Sequence, residues 1–404
     1  MSTEDLIRLE EQYGAQIYHP MDVVVERAQG VWMYDVDGKK YLDCLSGYSA
    51  LNQGHCHPRL VKVMNEQAKQ LTLTSRAFRN DKLGPFIQRL SELSGYGKSL
   101  PMNSGAEAIE TAIKLARKWA YKVKGVQRNK AEIIVAEGNF HGRTITVISA
   151  SSEPLYKDMF GPHTPGFKIV PYGEADAIAA AITPNTAAVL LEPIQGEGGV
   201  IVPPHGYLQQ VHSICQESNV LFMVDEIQTG LGRTGKFFAC EHEDVRPEVT
   251  VIGKALGGGF YPISAVLADA EYMDVMEYGE HGSTFGGNPL ACAIALEALN
   301  IIVDEGLIEN AAKLGEYYQE RLVEIPSPHV QEVRGRGLLI GIELKESAGG
   351  ARRFGEALKD RGILVKDAHE NVLRFAPPLI IDRETLDATI MPITEVFKPT
   401  LVIV

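Results

Sequence analysis

The chain has 404 residues, of which 45% are hydrophobic and 23% charged, and a formal net charge of −13. A chain of this length can bury a large core without disulfides or structural metals, and at about 150 residues per domain it suggests two to three domains. The acidic balance and the lack of any basic run exclude nucleic acid as the main partner, since phosphate binding needs clustered Lys and Arg, and no apolar run approaches the length of a membrane span.

The chain opens on "MSTEDLIRLEEQYG". This stretch is acidic and has neither an apolar h-region nor an Arg/Ser-rich transit pattern, so no targeting signal is expected. Five cysteines at 44, 56, 215, 240 and 292 form no C-x-x-C. Reduced thiols and a cytoplasmic location fit that usage. "GVWMYDVDGKKYLDC" predicts a hairpin turning at Asp37-Gly38. In "GHCHP" (54–58) the residues His55, Cys56 and His57 are consecutive. They cannot converge on one ion as spaced ligands do, so no metal is expected and a polar turn before a helix is the better reading.

"NSGAEAIETAIKLARKWA" (103–120) carries the S-x-x-E capping box at Ser104 and Glu107, followed by apolar residues at helical spacing. Small residues at 104–106 leave the first N–H groups open. The segment is either an ordinary capped helix or a phosphate seat at a helix N-terminus. From about 130 to 270, β-rich runs alternate with helical or loop stretches: "AEIIVAEG" (131–138), "TAAVLLEP" (186–193), "NVLFMVDE" (219–226), "EVTVIGK" (248–254) and "ISAVLAD" (263–269). That alternation predicts a mostly parallel α/β sheet flanked by helices, with ligands at the carboxyl ends of the strands.

Two of those ends carry reactive groups. Asp225 ends a strand apolar enough to be buried on both faces. It is either a loop cap or an anion awaiting a cationic ligand group. Lys254 ends the next strand, ahead of three glycines. It either snorkels to the rim or serves as a desolvated amine suited to a Schiff base, the glycines letting the backbone turn close to a ligand. "GLGRTG" (230–235) matches G-x-G-x-x-G. The next strand ends in Gly-Lys instead of an acid, so a tight loop is a better account than a dinucleotide site. An anion, an amine and a phosphate seat together describe a binder of pyridoxal 5′-phosphate, PLP.

The remaining chain changes rhythm. One long helical pattern (289–324) leads into "HVQEVRGRGLLIGIEL", helix "ARRFGEALKDRG", strands "ILVKD" and "NVLRFAPPL" and a final helix. The expected division is an N-terminal segment, 1–50, packing with a small C-terminal α/β domain, 296–404, around a large cofactor domain, 51–295.

"NSGAEA", "GNFHGRT", "EPIQGEGG", "DEIQTGLGRTG", "GKALGGGFYP" and "HGSTFGGNPLA" resemble, in order, the motifs of the class III aminotransferases. The likeness spans roughly 15 to 400. It implies the aspartate-aminotransferase fold (fold type I) and a homodimer, or a higher oligomer of dimers, with sites at the subunit interface. It also implies that Lys254 forms the Schiff base and carries the proton, and that Asp225 keeps the ring nitrogen protonated. Gln228 would contact the phenolic oxygen, Phe140 stack on the ring, Ser104, Gly105 and Ala106 hold the phosphate, and Thr284 reach the partner's phosphate.

Within the family, "IYHPMDVVVER", "GYSALNQGHCHP" and "LRFAPPL" look like the ornithine δ-aminotransferase versions. This implies transfer of the δ-amino group of ornithine to 2-oxoglutarate. Tyr18 and Arg143 would grip the α-carboxylate, Tyr48 would border the pocket, and Glu197 would pair with Arg374 and swing away for the second substrate. Acetylornithine aminotransferase shares the Glu197- and Arg143-like residues, so Tyr18 and Tyr48 carry the distinction. Other ω-aminotransferases, an aminomutase and a non-catalytic relative are further alternatives. His141 stands where some ornithine enzymes have tryptophan, and the resemblance assigns it no role.

Overall fold

The computed structural model describes residues 1–398, so residues 399–404 of the expected C-terminal domain lie outside the described residues. Three short strands come first: β1 (Val25–Gln29), β2 (Trp32–Asp35) and β3 (Lys40–Asp43). β2 and β3 form the hairpin expected around Asp37-Gly38, with Gly38 at φ 82°. Seven strands then build the central sheet: β4 (Lys98–Met102), β5 (Glu132–Ala136), β6 (Phe167–Val170), β7 (Thr186–Leu191), β8 (Leu221–Asp225), β9 (Val249–Ile252) and β10 (Ser264–Ala268). Their order is β4-β10-β9-β8-β7-β5-β6. β10 runs antiparallel to both neighbours, and the other pairings are parallel.

β7, β8, β9 and β10 are buried along their whole length. Alternate side chains feed opposite faces. Ile133, Val135, Leu190 and Met223 pack with the helix Gly105–Trp119. Ile134, Val189, Phe222 and Val224 pack with the helix Tyr207–Glu217. Both faces are covered, so these strands read as continuous apolar runs and were legible. β4 and β6 were not expected, and they are the two edges of the sheet. An edge strand pairs on one side only and tolerates polar residues and proline, as Pro101 in β4 illustrates.

Five strands follow: β11 (Val330–Arg336), β12 (Leu339–Leu344), β13 (Ile363–Leu364), β14 (Lys366–Ala368) and β15 (Val372–Phe375). The long 289–324 pattern is two helices, Pro289–Asp304 and Leu307–Val323, broken where Gly306 takes φ 61°. The expected strand "ILVKD" divides between two sheets. Ile363 pairs with Leu42 of β3, and Lys366 pairs with Arg374 of β15. Among the described residues no helix is long and apolar enough to cross a membrane.

This topology points the carboxyl ends of β7, β8 and β9 the same way. Glu192, Asp225 and Lys254 therefore emerge along one sheet edge, beside the start of the helix that follows β4.

Candidate active site

Lys254, Asp225, Gly105, Ala106, Phe140, Gln228 and Glu197 line one cavity of about 220 Å³, together with His141 and Glu192. Residues from five separate stretches of chain thus meet at the predicted sheet edge.

At the helix start the capping box forms as expected. Ser104 Oγ accepts from Glu107 N at 3.2 Å, and Glu107 Oε2 accepts from Ser104 N at 2.7 Å. The Gly105 and Ala106 N–H groups have no acceptor among the described residues. A Cβ on Gly105 would stand 3.0 Å from Ile227 Cδ1, so the floor of the cradle admits no side chain there. Ser104 itself is exposed.

Asp225 is buried at the base. Its Oδ1 accepts from the Ile227 N–H at 3.0 Å, and its Oδ2 lies 2.8 Å from His141 Nδ1. A carboxylate only accepts, so His141 Nδ1 carries the proton of this bond, and its buried Nε2 has no partner among the described residues. Burial opposes charge on His141, but the hydrogen bond and charge of Asp225, with Glu192, outweigh it and raise its pKa. Glu192 accepts from Phe140 N at 3.0 Å and Gly196 N at 3.4 Å, joining the two loops that flank the cavity. Burial, against the pull of His141, pushes its pKa up to about 7. Glu192 was missed. It ends an apolar strand just as Asp225 does, and the same criterion would have found it.

Lys254 sits at φ 43°, a left-handed conformation unusual for a non-glycine residue. Its amine makes no hydrogen bond or ion pair among the described residues. Burial, against the attraction of Glu197, lowers its pKa. Two of the glycines behind it stand close to protein side chains. A Cβ on Gly258 would meet Leu60 Cδ1 at 2.5 Å, and one on Gly259 would meet Leu51 Cδ2 at 2.1 Å.

Glu197 and Arg374 come together at 2.6 Å between Oε1 and Nη1. Gln228 bridges them, donating to Glu197 at 3.1 Å and accepting from Arg374 at 3.3 Å. Arg374 is 1% exposed, and its Nε and Nη2 have no partner. Tyr48 lies against it, with the guanidinium carbon 5.0 Å from the ring centre. Burial, against Arg374 but with Glu197, raises the Tyr48 pKa. Burial opposes charge on Glu197, but the nearby Arg374 and Lys254 cations outweigh it and lower its carboxyl pKa.

A Cβ on Gly196 would stand 1.6 Å from Gln228 Oε1. Gly196→Ala is therefore expected to push Gln228 out of the bridge and destabilise the fold by about 1–3 kcal/mol. Thermal unfolding and the KM for both substrates check this, and unchanged values would contradict the bridge.

Six predicted residues lie outside the cavity lining: Ser104, Tyr48 and Arg374, placed above, and Arg143, Tyr18 and Thr284. Arg143 is exposed, its guanidinium stacked 3.8 Å from the Tyr156 ring centre and 5.4 Å from that of Phe140. Tyr156 was not anticipated. Tyr18 is 80% exposed and near enough to Tyr48 to contribute to the raised pKa of that residue. Thr284 is exposed beside the exposed Phe285. His55 and His57 diverge, the first to Asp43 at 2.7 Å and the second to Glu305 at 3.3 Å.

The model of the family "Aminotransferase class-III" matches residues 13–397. The chain belongs to the class III aminotransferases. A curated relative, the ornithine aminotransferase of Halalkalibacterium halodurans, is 54% identical over 398 residues, covering 98% of this chain and 99% of its own. Among solved structures, the ornithine aminotransferase of Toxoplasma gondii, crystallised with partial occupancy of PLP at its active site, superposes with a TM-score of 0.97. It is 45% identical and covers 98% of this chain and 94% of its own. The acetylornithine aminotransferase of Elizabethkingia anophelis superposes at 0.89 with 47% identity, covering 98% and 99%. As a class III aminotransferase this chain is a PLP-dependent transaminase with the fold expected from the sequence. Its cavity fits the cofactor: unpaired N–H groups at a helix start, a buried carboxylate, an aromatic face and a free amine.

Proposed function

We propose that this class III aminotransferase transfers the δ-amino group of L-ornithine to 2-oxoglutarate. The products would be glutamate and glutamate 5-semialdehyde, which cyclises to pyrroline-5-carboxylate. The observation that carries this reading is the Glu197–Arg374 pair, at 2.6 Å, whose glutamate lines the cavity that also holds Lys254 and Asp225. The whole-chain likeness to ornithine aminotransferases supports it.

Gly105 and Ala106 would hold the cofactor phosphate through their N–H groups, Phe140 would cover the ring, and Asp225 would face the ring nitrogen. When bound, PLP supplies an aldehyde that condenses with amines and a ring that accepts the electron pair released at the reacting carbon. Lys254 Nζ, whose pKa burial lowers, acts as the nucleophilic amine and then as the proton carrier at that carbon. Asp225, fixed by His141 and the Ile227 N–H, holds the proton on the ring nitrogen.

The two substrates present opposite ends. Ornithine offers a far amine and must keep its α-carboxylate away from the ring, at Tyr18 and Arg143. With Glu197 on Arg374, the charge of that guanidinium is balanced and draws the carboxylate inward less strongly. 2-Oxoglutarate needs its α-carboxylate near the ring. It would take Arg374 as Glu197 swings out, since a guanidinium can exchange one carboxylate for another. Gln228 holds both groups and would steady Arg374 during the exchange.

We also propose a homodimer in which Thr284 of each subunit reaches the other's phosphate, consistent with its exposure beside Phe285. The alternative donor is N-acetylornithine, favoured by the 47% identity to the Elizabethkingia anophelis enzyme. Tyr48 narrowing the space over Arg374 favours the unacetylated donor. Assays with ornithine and N-acetylornithine side by side should give the higher kcat/KM for ornithine. A clear preference for the acetylated substrate would overturn the assignment.

A further inference from the structure

Arg233 is 0% exposed, and all of its hydrogen-bond acceptors are neutral oxygens. Nη2 donates to Ser46 Oγ at 3.1 Å and Asn52 Oδ1 at 2.6 Å. Nη1 donates to the carbonyls of Leu338 at 3.0 Å and Pro377 at 2.6 Å. Burial lowers its pKa to about 9, so it stays charged near neutrality. A buried cation without a hydrogen-bonded counter-ion costs several kcal/mol.

The segments it ties are unusual. Ser46, Gly47, Tyr48 and Ser49 are consecutive left-handed residues, at φ 46°, 57°, 61° and 69°. Left-handed helical backbone is disfavoured for each non-glycine residue, and such strain persists only where the surroundings over-determine it. Asp43 Oδ1 accepts from the N–H groups of Leu45 at 2.8 Å and Ser46 at 2.7 Å. Ser46 Oγ donates to the Ala376 carbonyl at 2.6 Å. Ala376 and Pro377 directly follow β15, which carries Arg374. Arg233 therefore joins the strained turn bearing Tyr48 to the strand end bearing Arg374.

We propose that Arg233 is a positioning residue that holds the Tyr48 ring against Arg374, at the border of the site that admits the amino donor. It touches no lining residue directly. It acts by holding Ser46 and Asn52 on one side and Leu338 and Pro377 on the other, so that the Tyr48 ring stays over Arg374. The inference deepens the proposed function and rests on Tyr48 and Arg374 bordering the donor site.

The test is a double-mutant cycle on the holoenzyme with Arg233→Lys and Tyr48→Ala. It is read on whichever donor the unaltered enzyme prefers, against a second donor. Arg233→Lys keeps the charge but cannot span both sides with a planar fork. It should lower discrimination between donors by about tenfold, through the KM of the preferred donor, with cofactor retention near that of the parent. In the Tyr48→Ala background the same change should cost no further discrimination. Additive losses, or an equal fall in kcat for all donors, would overturn the proposal. Should Arg233→Lys fail to fold, Ser46→Ala replaces it in the cycle and is judged on the same terms. A parent enzyme that prefers another donor to ornithine refutes the function assignment, while the coupling of Arg233 to Tyr48 is still decided on that donor.

Discussion

Replacing Lys254 with alanine is expected to abolish turnover and covalent retention of the cofactor after borohydride reduction. Among the described residues the amine makes no hydrogen bond or ion pair, and burial lowers its pKa, so it is poised as a nucleophile. Loss of the proton carrier alone typically costs about 10²–10⁴-fold, and loss of the nucleophile adds to that. The substitution shortens a side chain that faces a cavity, so the fold should survive and PLP should still bind without a covalent bond. Added methylamine supplies an amine of small size and should restore part of the rate. Turnover within tenfold of the parent enzyme would rule out this role for Lys254.

Asp225→Asn is expected to be the next most damaging change, with kcat down by about 10²-fold or more. An opposite charge within a few ångströms shifts the pKa of a titrating group by about 1–3 units. The neutral amide therefore forfeits the protonated ring nitrogen on which electron uptake depends. Asparagine keeps an acceptor for the Ile227 N–H or for His141, so the loop should hold its shape. Asp225→Ala removes both bonds and leaves His141 Nδ1 buried without an acceptor, a penalty of about 1–3 kcal/mol. The alanine variant should thus lose thermal stability as well as rate, and the asparagine variant chiefly rate. Steady-state kinetics and thermal unfolding of the pair separate the two effects. An asparagine variant with kcat within threefold of the parent would exclude the electrostatic role.

Some of this was legible from the chain alone. The capping box at Ser104 and Glu107 is a contact between residues three apart, so its pattern is local. Asp225 and Lys254 were found because strands buried on both faces announce themselves as apolar runs, and a charged group at the end of one stands out. Parallel strands then bring such ends to a common edge, which is why two separate observations described one site. The roles of Phe140, Gln228, Thr284, Tyr18 and Arg143 came from likeness to a family, because nothing local in "GNFHGRT" or "DEIQTG" states what those side chains face.

Tertiary structure decided the rest. His141 and Asp225 are 84 positions apart, and Arg374 and Glu197 are 177 apart. No periodicity links residues at such separations, since each pairing depends on how several strands and loops pack. The edge strands β4 and β6 escaped notice for a related reason. One open side relaxes the demand for apolar residues, and the pattern weakens with it. Arg233 is the extreme case. Inside "GLGRTG" it looks like a surface residue of a tight loop, because arginine is seldom buried and its neighbours are turn-formers. Only the folded chain brings Ser46, Asn52, Leu338 and Pro377 around it. The sequence by itself determined which strand ends carry the reactive amine and carboxylate, because burial of a strand writes itself into consecutive residues. The placement of Tyr48 on Arg374 was decided by packing between segments that share no local pattern.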